Sequence, residues 1–192
     1  MDDSTRALFS ARTAGEVRDL IAKGADVQGR DEDDGKTPLF FQNSPEVARA
    51  LIEAGCDVRA RDDLGWTALH CCNSVEVLTL LLGAGADVNA VTDDGMTPLM
   101  AFIDLDHGDL AAPLVATILA AGADPDLTFT TYEGTQETAL DIADKKLERE
   151  PYIREARDMI KVHIEKSALN SDDTLAQIKA SKPASTKKRG PL

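Results

Sequence analysis

The sequence predicts an all-α solenoid of about five helix-turn-helix repeats, with protruding loops and atypical terminal units. The first observation is a Thr-Pro/Ala-Leu phrase that returns at a spacing of 30 residues and then once more, at Thr37, Thr67, Thr97 and Thr138. The second is a Gly-Ala-Asp-Val phrase, or a close variant, that ends each apolar run, at Gly24, Gly55, Gly85 and Gly122. Self-similarity at a period between about 20 and 50 residues indicates stacked units that bury their apolar faces against one another.

Each unit is predicted to contain two helices. The first begins at the Thr of the first phrase, because its hydroxyl can accept a hydrogen bond from an unpaired N–H and because Pro38 or Pro98 fits the first helical position. The second begins at Ser44 or Ser74, where a glutamate follows near the positive end of the helix dipole. Apolar residues at helical spacing then form one buried stripe, and the glycine of the second phrase ends the helix.

The terminal units follow this pattern less closely. Residues 5–10 and 16–25 align with the next unit, and residues 139–146 and 151–166 read as a longer helical pair that closes the stack. We therefore expect one domain at residues 1–167, with units at about 4–33, 34–63, 64–93, 94–134 and 135–167. Residues 168–192 are expected to be a flexible basic tail, because apolar density falls and the last fourteen residues hold five basic and no acidic residues.

The unit resembles the ankyrin repeat over roughly Thr5 to Ser167. Most of the family pattern is present in Trp66-Thr67-Ala68-Leu69-His70 followed by the stretch from Leu80 to Ala90. The family unit has about 33 residues, and the stretch from Thr67 to Glu76 is about three residues shorter, as in shortened repeats of bacterial type, so its first helix is expected to lose a turn. By contrast, residues 104–109 are inserted between two helices, and residues 127–137 form an extended loop.

No residues are predicted to be catalytic or to bind a metal or cofactor. Cys56, Cys71 and Cys72 fall at positions where the family has small residues, which favours small buried side chains over a disulfide or zinc site. His70 belongs to the repeat pattern, and the other two histidines lie in distant units. The protein is therefore not expected to be an enzyme; a zinc-containing sample would reopen that alternative.

Charge indicates the kind of partner. The 192 residues carry a formal net charge of -13, and the basic tail makes the rest of the chain more negative still. A negative body disfavours nucleic acid and anionic membranes and favours a basic partner protein. The chain has 43% apolar residues, no stretch near the roughly 20 apolar residues that span a bilayer and no evident signal peptide. We expect a cytoplasmic protein that is a monomer when free.

The resemblance implies a concave binding surface made by the loops and the first helices. Its loop positions are Asp33, Asp34, Lys36, Asp63, Leu64, Trp66, Asp93, Asp94 and Met96. We add Phe129 and Tyr132 of the extended loop as candidate partner-binding residues. A different interpretation stays open, in which the aspartates only shape turns and maintain solubility and the aromatic side chains cover neighbouring loops.

These observations predict a protein-binding module that acts by occlusion or scaffolding. We expect an inhibitor or immunity-type protein, whose acidic surface covers the basic active site of a toxin or effector enzyme. The alternative is a stand-alone adaptor that brings other proteins together and therefore has a second occupied surface.

Overall fold

The computed structural model describes residues 1–181, with side chains described as far as residue 169. The α-helices are α1 (Asp3–Leu8), α2 (Ala14–Ala22), α3 (Pro45–Glu53), α4 (Val75–Gly83), α5 (Pro98–Asp104), α6 (Ala111–Ala120), α7 (Ala139–Leu147) and α8 (Ile153–Ser181). Short 3-10 helices cover Pro38–Phe41 and Gly108–Leu110, and β1 (Thr128–Thr130) pairs antiparallel with β2 (Gln136–Thr138). The predicted all-α repeat fold is confirmed, with one small hairpin added to it.

The helices form two layers. In the second-helix layer, α2, α3, α4, α6 and α8 pack each against the next in chain order. The first-helix layer contains α1, the 3-10 helix Pro38–Phe41, the turn at residues 68–71, α5 and α7. Leu51, Leu81 and Ile118 are among the fully buried side chains of the core between the layers. Each unit therefore depends on its neighbours for burial.

The predicted starts and ends of the second helices are confirmed. The Ser44 and Ser74 hydroxyls accept hydrogen bonds from the N–H groups of Val47 (3.4 Å) and Val77 (3.3 Å). The four glycines that follow the second helices all have φ between +91° and +95°, the conformation that ends a helix with a left-handed residue.

The first helices are less regular than predicted. Thr97 and Thr138 do begin α5 and α7, but Thr37 is followed by a single 3-10 turn and Thr67 by a turn closed by the His70 N–H and the Thr67 carbonyl at 3.0 Å. The prediction of a helix at Thr67 is wrong, because the shortened stretch before Ser74 leaves no room for a second turn and a connection.

The inserted residues 104–109 are mostly exposed, but hydrogen bonds hold the segment against the last helical pair. The Lys146 ammonium donates to the carbonyls of Ile103 (3.1 Å) and Asp104 (2.5 Å) at the end of α5. The Tyr152 hydroxyl donates to the Asp106 carboxylate at 3.0 Å. The insertion therefore joins α5 to the last helical pair.

The last helix extends further along the chain than the sequence analysis predicted. We expected the tail to begin at residue 168, but α8 continues to Ser181, in keeping with good helix formers such as Ala168 and Leu169. Residues 182–192 of the predicted tail lie outside the described residues. Within residues 1–181, no helix has both the length and the apolar character required to cross a bilayer.

Candidate protein-binding surface

Four loops between the units close as tight hairpins. In each, a backbone N–H donates to a carbonyl four or five residues later; the pairs are Asp31–Lys36 (2.9 Å), Asp62–Trp66 (2.9 Å), Thr92–Met96 (3.0 Å) and Thr131–Thr135 (2.9 Å). The four hairpins, residues 31–36, 62–66, 92–96 and 131–135, are termed the hairpin row.

Backbone hydrogen bonds hold the hairpin row in register. The Asp63 N–H donates to the Asp34 carbonyl at 2.9 Å, and the Asp93 N–H donates to the Leu64 carbonyl at 3.0 Å. Both bonds use equivalent positions, since the acceptor in each hairpin is the residue before its glycine. At the fourth hairpin the donor lies two residues before the position equivalent to Asp63 and Asp93. There the Thr130 N–H donates to the Asp94 carbonyl at 3.1 Å. Its tip consequently extends beyond the other three.

Two arginines that the sequence analysis missed fasten adjacent hairpins. The Arg30 guanidinium donates to the carbonyls of Gly35 (2.7 Å) and Arg61 (2.6 Å). Arg61 in turn donates to the Val91 carbonyl at 2.5 Å and to the Asp93 carboxylate at 2.8 Å. Val91 occupies the third equivalent place, directly before its hairpin, and has no donor to offer. The signal in the sequence was an arginine immediately before the hairpin in two successive units.

The predicted site residues differ in exposure. Exposed side chains are those of Asp33, Asp34, Asp63, Leu64, Asp93, Asp94 and Tyr132. The side chains of Lys36, Trp66 and Phe129 are half-buried. Leu64 is 65% exposed, so a large apolar side chain stands in water among the aspartates.

Met96 corrects the predicted set. We expected it to be an apolar anchor on the surface, but it is buried, with 9% of its side chain exposed. Its N–H donates to the Thr92 hydroxyl at 2.9 Å, and its carbonyl accepts from the ring of His70 at 3.1 Å. Because the His70 contact draws this hairpin onto the core, Met96 packs inward.

His70 joins two neighbouring hairpins. Its Nδ1 accepts from the Thr67 N–H at 3.2 Å, so Nε2 carries the proton that is donated to the Met96 carbonyl. Its ring also packs edge-on against Trp66, with centroids 5.5 Å apart. Burial lowers the pKa of His70 to about 4, so the imidazole is neutral at physiological pH. No cluster of three metal-ligating side chains occurs in the described part of the chain.

Comparison with known proteins agrees with this architecture. The family model described as ankyrin repeats (3 copies) matches residues 7–91. Residues 7–91 are ankyrin repeats. A 69-residue alignment is also 41% identical to the transient receptor potential cation channel subfamily V member 6 of Rattus norvegicus. That alignment covers 28% of this chain and spans 9% of the channel's length. Ankyrin repeats are protein-binding modules and are generally not enzymes.

Two aromatic side chains in and beside the fourth hairpin have different surroundings. Phe129 of β1 is half-buried against the third hairpin, where a methyl group on Gly95 would lie 3.4 Å from the Phe129 Cα. Tyr132 is fully exposed at the tip. Phe129 therefore helps to seat the hairpin, and Tyr132 is available to a partner.

Four exposed aspartates of the first three hairpins fall into two groups. Asp34 pairs with the Lys36 ammonium at 2.6 Å, and Asp93 pairs with Arg61 at 2.8 Å. Asp33 and Asp63 form no ion pair within the described residues. Their negative charge is thus open to a cation from another molecule.

Proposed function

We propose that this protein is a domain of five ankyrin repeats that binds a basic partner protein through its hairpin row and the adjoining first-helix layer, which together form a concave acidic surface. The units are those at residues 4–33, 34–63, 64–93, 94–134 and 135–167. The observation that carries the proposal is the backbone bonding of the hairpins in register, because it presents equivalent side chains on one side of the molecule. A partner therefore meets a preformed surface and loses little affinity to ordering the loops.

Charge supports a basic partner. The chain carries a net charge of -13, and Asp33 and Asp63 are exposed without a neutralising cation among the described side chains. Such a surface accelerates encounter with a positively charged protein and disfavours acidic competitors.

Apolar side chains support tight contact after the encounter. Leu64 and Tyr132 are exposed, and Trp66 is half-buried in the same hairpin as Leu64. Tryptophan and tyrosine dominate the energetics of many protein interfaces. We infer that these residues form the contact centre and that the aspartates form its polar rim.

The role that fits best is that of a cytoplasmic inhibitor or immunity-type protein, monomeric when free, that covers the basic active site of a toxin or effector enzyme. No chemistry by this chain is required, since occlusion alone stops the partner. The interpretation predicts that a captured partner loses its activity in the complex.

Affinity capture from the native cell tests the surface. Asp63→Lys and Trp66→Ala should each recover the partner at least tenfold less well than the wild type. Glu53→Lys is the matched control, because it makes the same kind of charge change at an exposed position of α3. Equal recovery by all four proteins would show that the hairpin row is not the binding surface.

The adaptor alternative is supported by a groove in the second-helix layer. This groove lies between α6 and α8, has a volume of about 1060 Å³, and includes Ala116, Met159 and Val162 in its lining. An adaptor would use it for a second protein. Co-expression with the partner separates the roles: protection of the cell supports the inhibitor, and a complex in which the partner remains active supports the adaptor.

A further inference from the structure

One position of the repeat changes from buried to exposed along the chain. It lies four residues after the threonine that begins each unit and is occupied by Phe9, Phe41, Cys71, Ala101 and Ile142. Ala101 and Ile142 are buried, whereas Phe9 and Cys71 are half-buried and Phe41 is 47% exposed. A position that belongs to the core in the last two units is therefore open in the first three.

The length of the first helix accounts for this difference. Ala101 and Ile142 lie within α5 and α7, which are seven and nine residues long and pack against each other. Phe41 ends a 3-10 helix of four residues, and Cys71 lies in a single turn. Phe9 directly follows the six-residue α1. In all three units the side chain thus lies at or just beyond the end of a short helix or turn, where it is less covered than within a longer helix.

Phe9, Phe41 and Cys71 are termed the aromatic strip. The rings of Phe9 and Phe41 meet edge-on with centroids 5.7 Å apart. Phe41 ends the 3-10 helix that follows the first hairpin, and Cys71 lies in the turn that follows the second. The aromatic strip therefore belongs to the first-helix layer that adjoins the hairpin row.

We propose that the aromatic strip binds an extended segment of the partner in which apolar and basic side chains alternate. This inference rests on the proposed function and adds the place and the chemistry of the contact. Side chains on one face of an extended chain are about 6.6 Å apart, which is close to the spacing of the two phenylalanine rings. Apolar side chains on one face of the segment therefore pack on the strip, and the basic side chains, which leave the opposite face, are long enough to bend back toward Asp33 and Asp63 of the hairpins.

A basic segment fits this face better than a second copy of the chain. Two copies would each bring a net charge of -13 to the contact, and like charges oppose association. A segment with one lysine for each apolar residue would instead neutralise the unpaired aspartates while it covers Phe41. The exposed aromatic area alone is too small to hold a globular partner, so the aspartates are needed as well.

Titration calorimetry with defined peptides tests the inference. The probes are three peptides of twelve residues that alternate Leu with Lys, Ser with Lys, and Leu with Glu. The wild type should bind the Leu/Lys peptide at least tenfold more tightly than either of the others. Phe41→Ser should weaken that binding tenfold or more, and Phe41→Leu should keep it within threefold.

Leu110→Ser is the matched control, because Leu110 of the 3-10 helix Gly108–Leu110 is 45% exposed, nearly the same fraction as Phe41, and lies outside the hairpin row, the aromatic strip and the lining of the groove between α6 and α8. Its affinity should stay within twofold of the wild type. Thermal melts of all variants show whether each one is folded.

Three results would overturn the inference. Equal binding of the Ser/Lys and Leu/Lys peptides would mean that charge alone attracts the peptide. Loss of binding in Asp63→Lys without loss in Phe41→Ser would leave the proposed function standing and remove the strip from it. Self-association of the wild type at micromolar concentration that Phe41→Ser abolishes would make a second copy the occupant.

Discussion

Single side chains determine how each capping threonine is satisfied. Three residues after Thr37, Thr67, Thr97 and Thr138 stand four different residues, namely Phe40, His70, Met100 and Asp141. Asp141 accepts from the Thr138 N–H at 2.9 Å, and His70 does the same for Thr67 at 3.2 Å. Phe40 accepts nothing, and the buried Thr37 hydroxyl is without a hydrogen-bond partner in the described structure. The threonine that begins the third unit is therefore bonded to a titratable side chain, whereas the one that begins the second unit is surrounded by apolar packing.

We expect stability to fall between pH 6.5 and pH 4 because of His70. The folded protein keeps this ring neutral, with its pKa lowered to about 4 by burial, while the unfolded chain titrates near pH 6.5. Between these pH values the unfolded chain binds a proton that the folded protein does not bind. The contribution of His70 to the free energy of unfolding is therefore fully present above pH 6.5 and declines as the pH falls. The loss approaches about 3 kcal/mol near pH 4.

Urea unfolding of the wild type and of His70→Gln from pH 4 to pH 7.5 checks this expectation. The difference between the two proteins removes the contribution of the carboxylates. That difference should shrink as the pH falls, and a constant difference would contradict the assignment.

Gly65→Ala should destabilise the protein by about 1 to 3 kcal/mol. Gly65 has φ +80°, and a methyl group there would overlap the Arg61 guanidinium and lie 2.9 Å from the Asp93 backbone nitrogen. Gly83→Ala is the control, because nothing lies within 4 Å of its added methyl and the residue is helical. The control should be neutral or gain up to about 1 kcal/mol. Thermal melts of the two variants should therefore move in opposite directions or differ by several degrees.

At the scale of elements, the arginines make the hairpins a connected series. Arg61→Met removes the donors to the Val91 carbonyl and the Asp93 carboxylate but keeps a long side chain. We expect the Asp93 amide, which donates to Leu64, to exchange with deuterium about fivefold faster, equivalent to about 1 kcal/mol. The Asp63 amide is an internal control, since Arg30 fastens its junction. Equal acceleration at both amides would mean that the variant loosens the whole fold.

Some elements could be predicted from the sequence because their signals are local. Ser44 and Ser74 cap their helices by bonds that span three residues, so the phrase itself contains the cause. The shortened stretch before Ser74 led us to expect the loss of a turn after Thr67, but not that a single turn would stand in place of the whole helix. The register of the hairpins depends on hydrogen bonds between units, such as that from the Asp63 N–H to the Asp34 carbonyl. Bonds of this kind cannot be read from the sequence of a single unit.

In the candidate site, too, some features could be predicted from the sequence and others depend on contacts between units. The resemblance to the ankyrin repeat placed Asp63 and Leu64 on exposed loop positions, and both are exposed in the structure. Met96 occupies the same kind of position as Trp66 and yet is buried, because His70 of the preceding unit binds its carbonyl. Phe41 was not singled out, since its exposure depends on its place at the end of a short 3-10 helix, which the repeat pattern does not record.

For the molecule as a whole, we expect salt to stabilise the fold. A net charge of -13 produces self-repulsion in the compact state, and added ions screen it within about 8 Å at physiological ionic strength. Raising NaCl from 20 mM to 500 mM should increase the melting temperature by about 3 °C or more. A double variant, Asp33→Asn with Asp63→Asn, should melt higher at low salt and respond less. A melting temperature that is independent of salt in both proteins would contradict the role of self-repulsion.

Val91, which stands where the two preceding units have arginine, gives the chain a natural point for recombination. The junction after it is held by the Thr130 to Asp94 backbone bond, without a guanidinium of the kind that ties the earlier ones. Duplication or grafting of whole units should consequently succeed more readily on the C-terminal side of residue 96 than inside the arginine-linked block, which includes Asp93. A chimaera joined at this point would keep the first three hairpins intact and could carry the C-terminal units of another repeat protein.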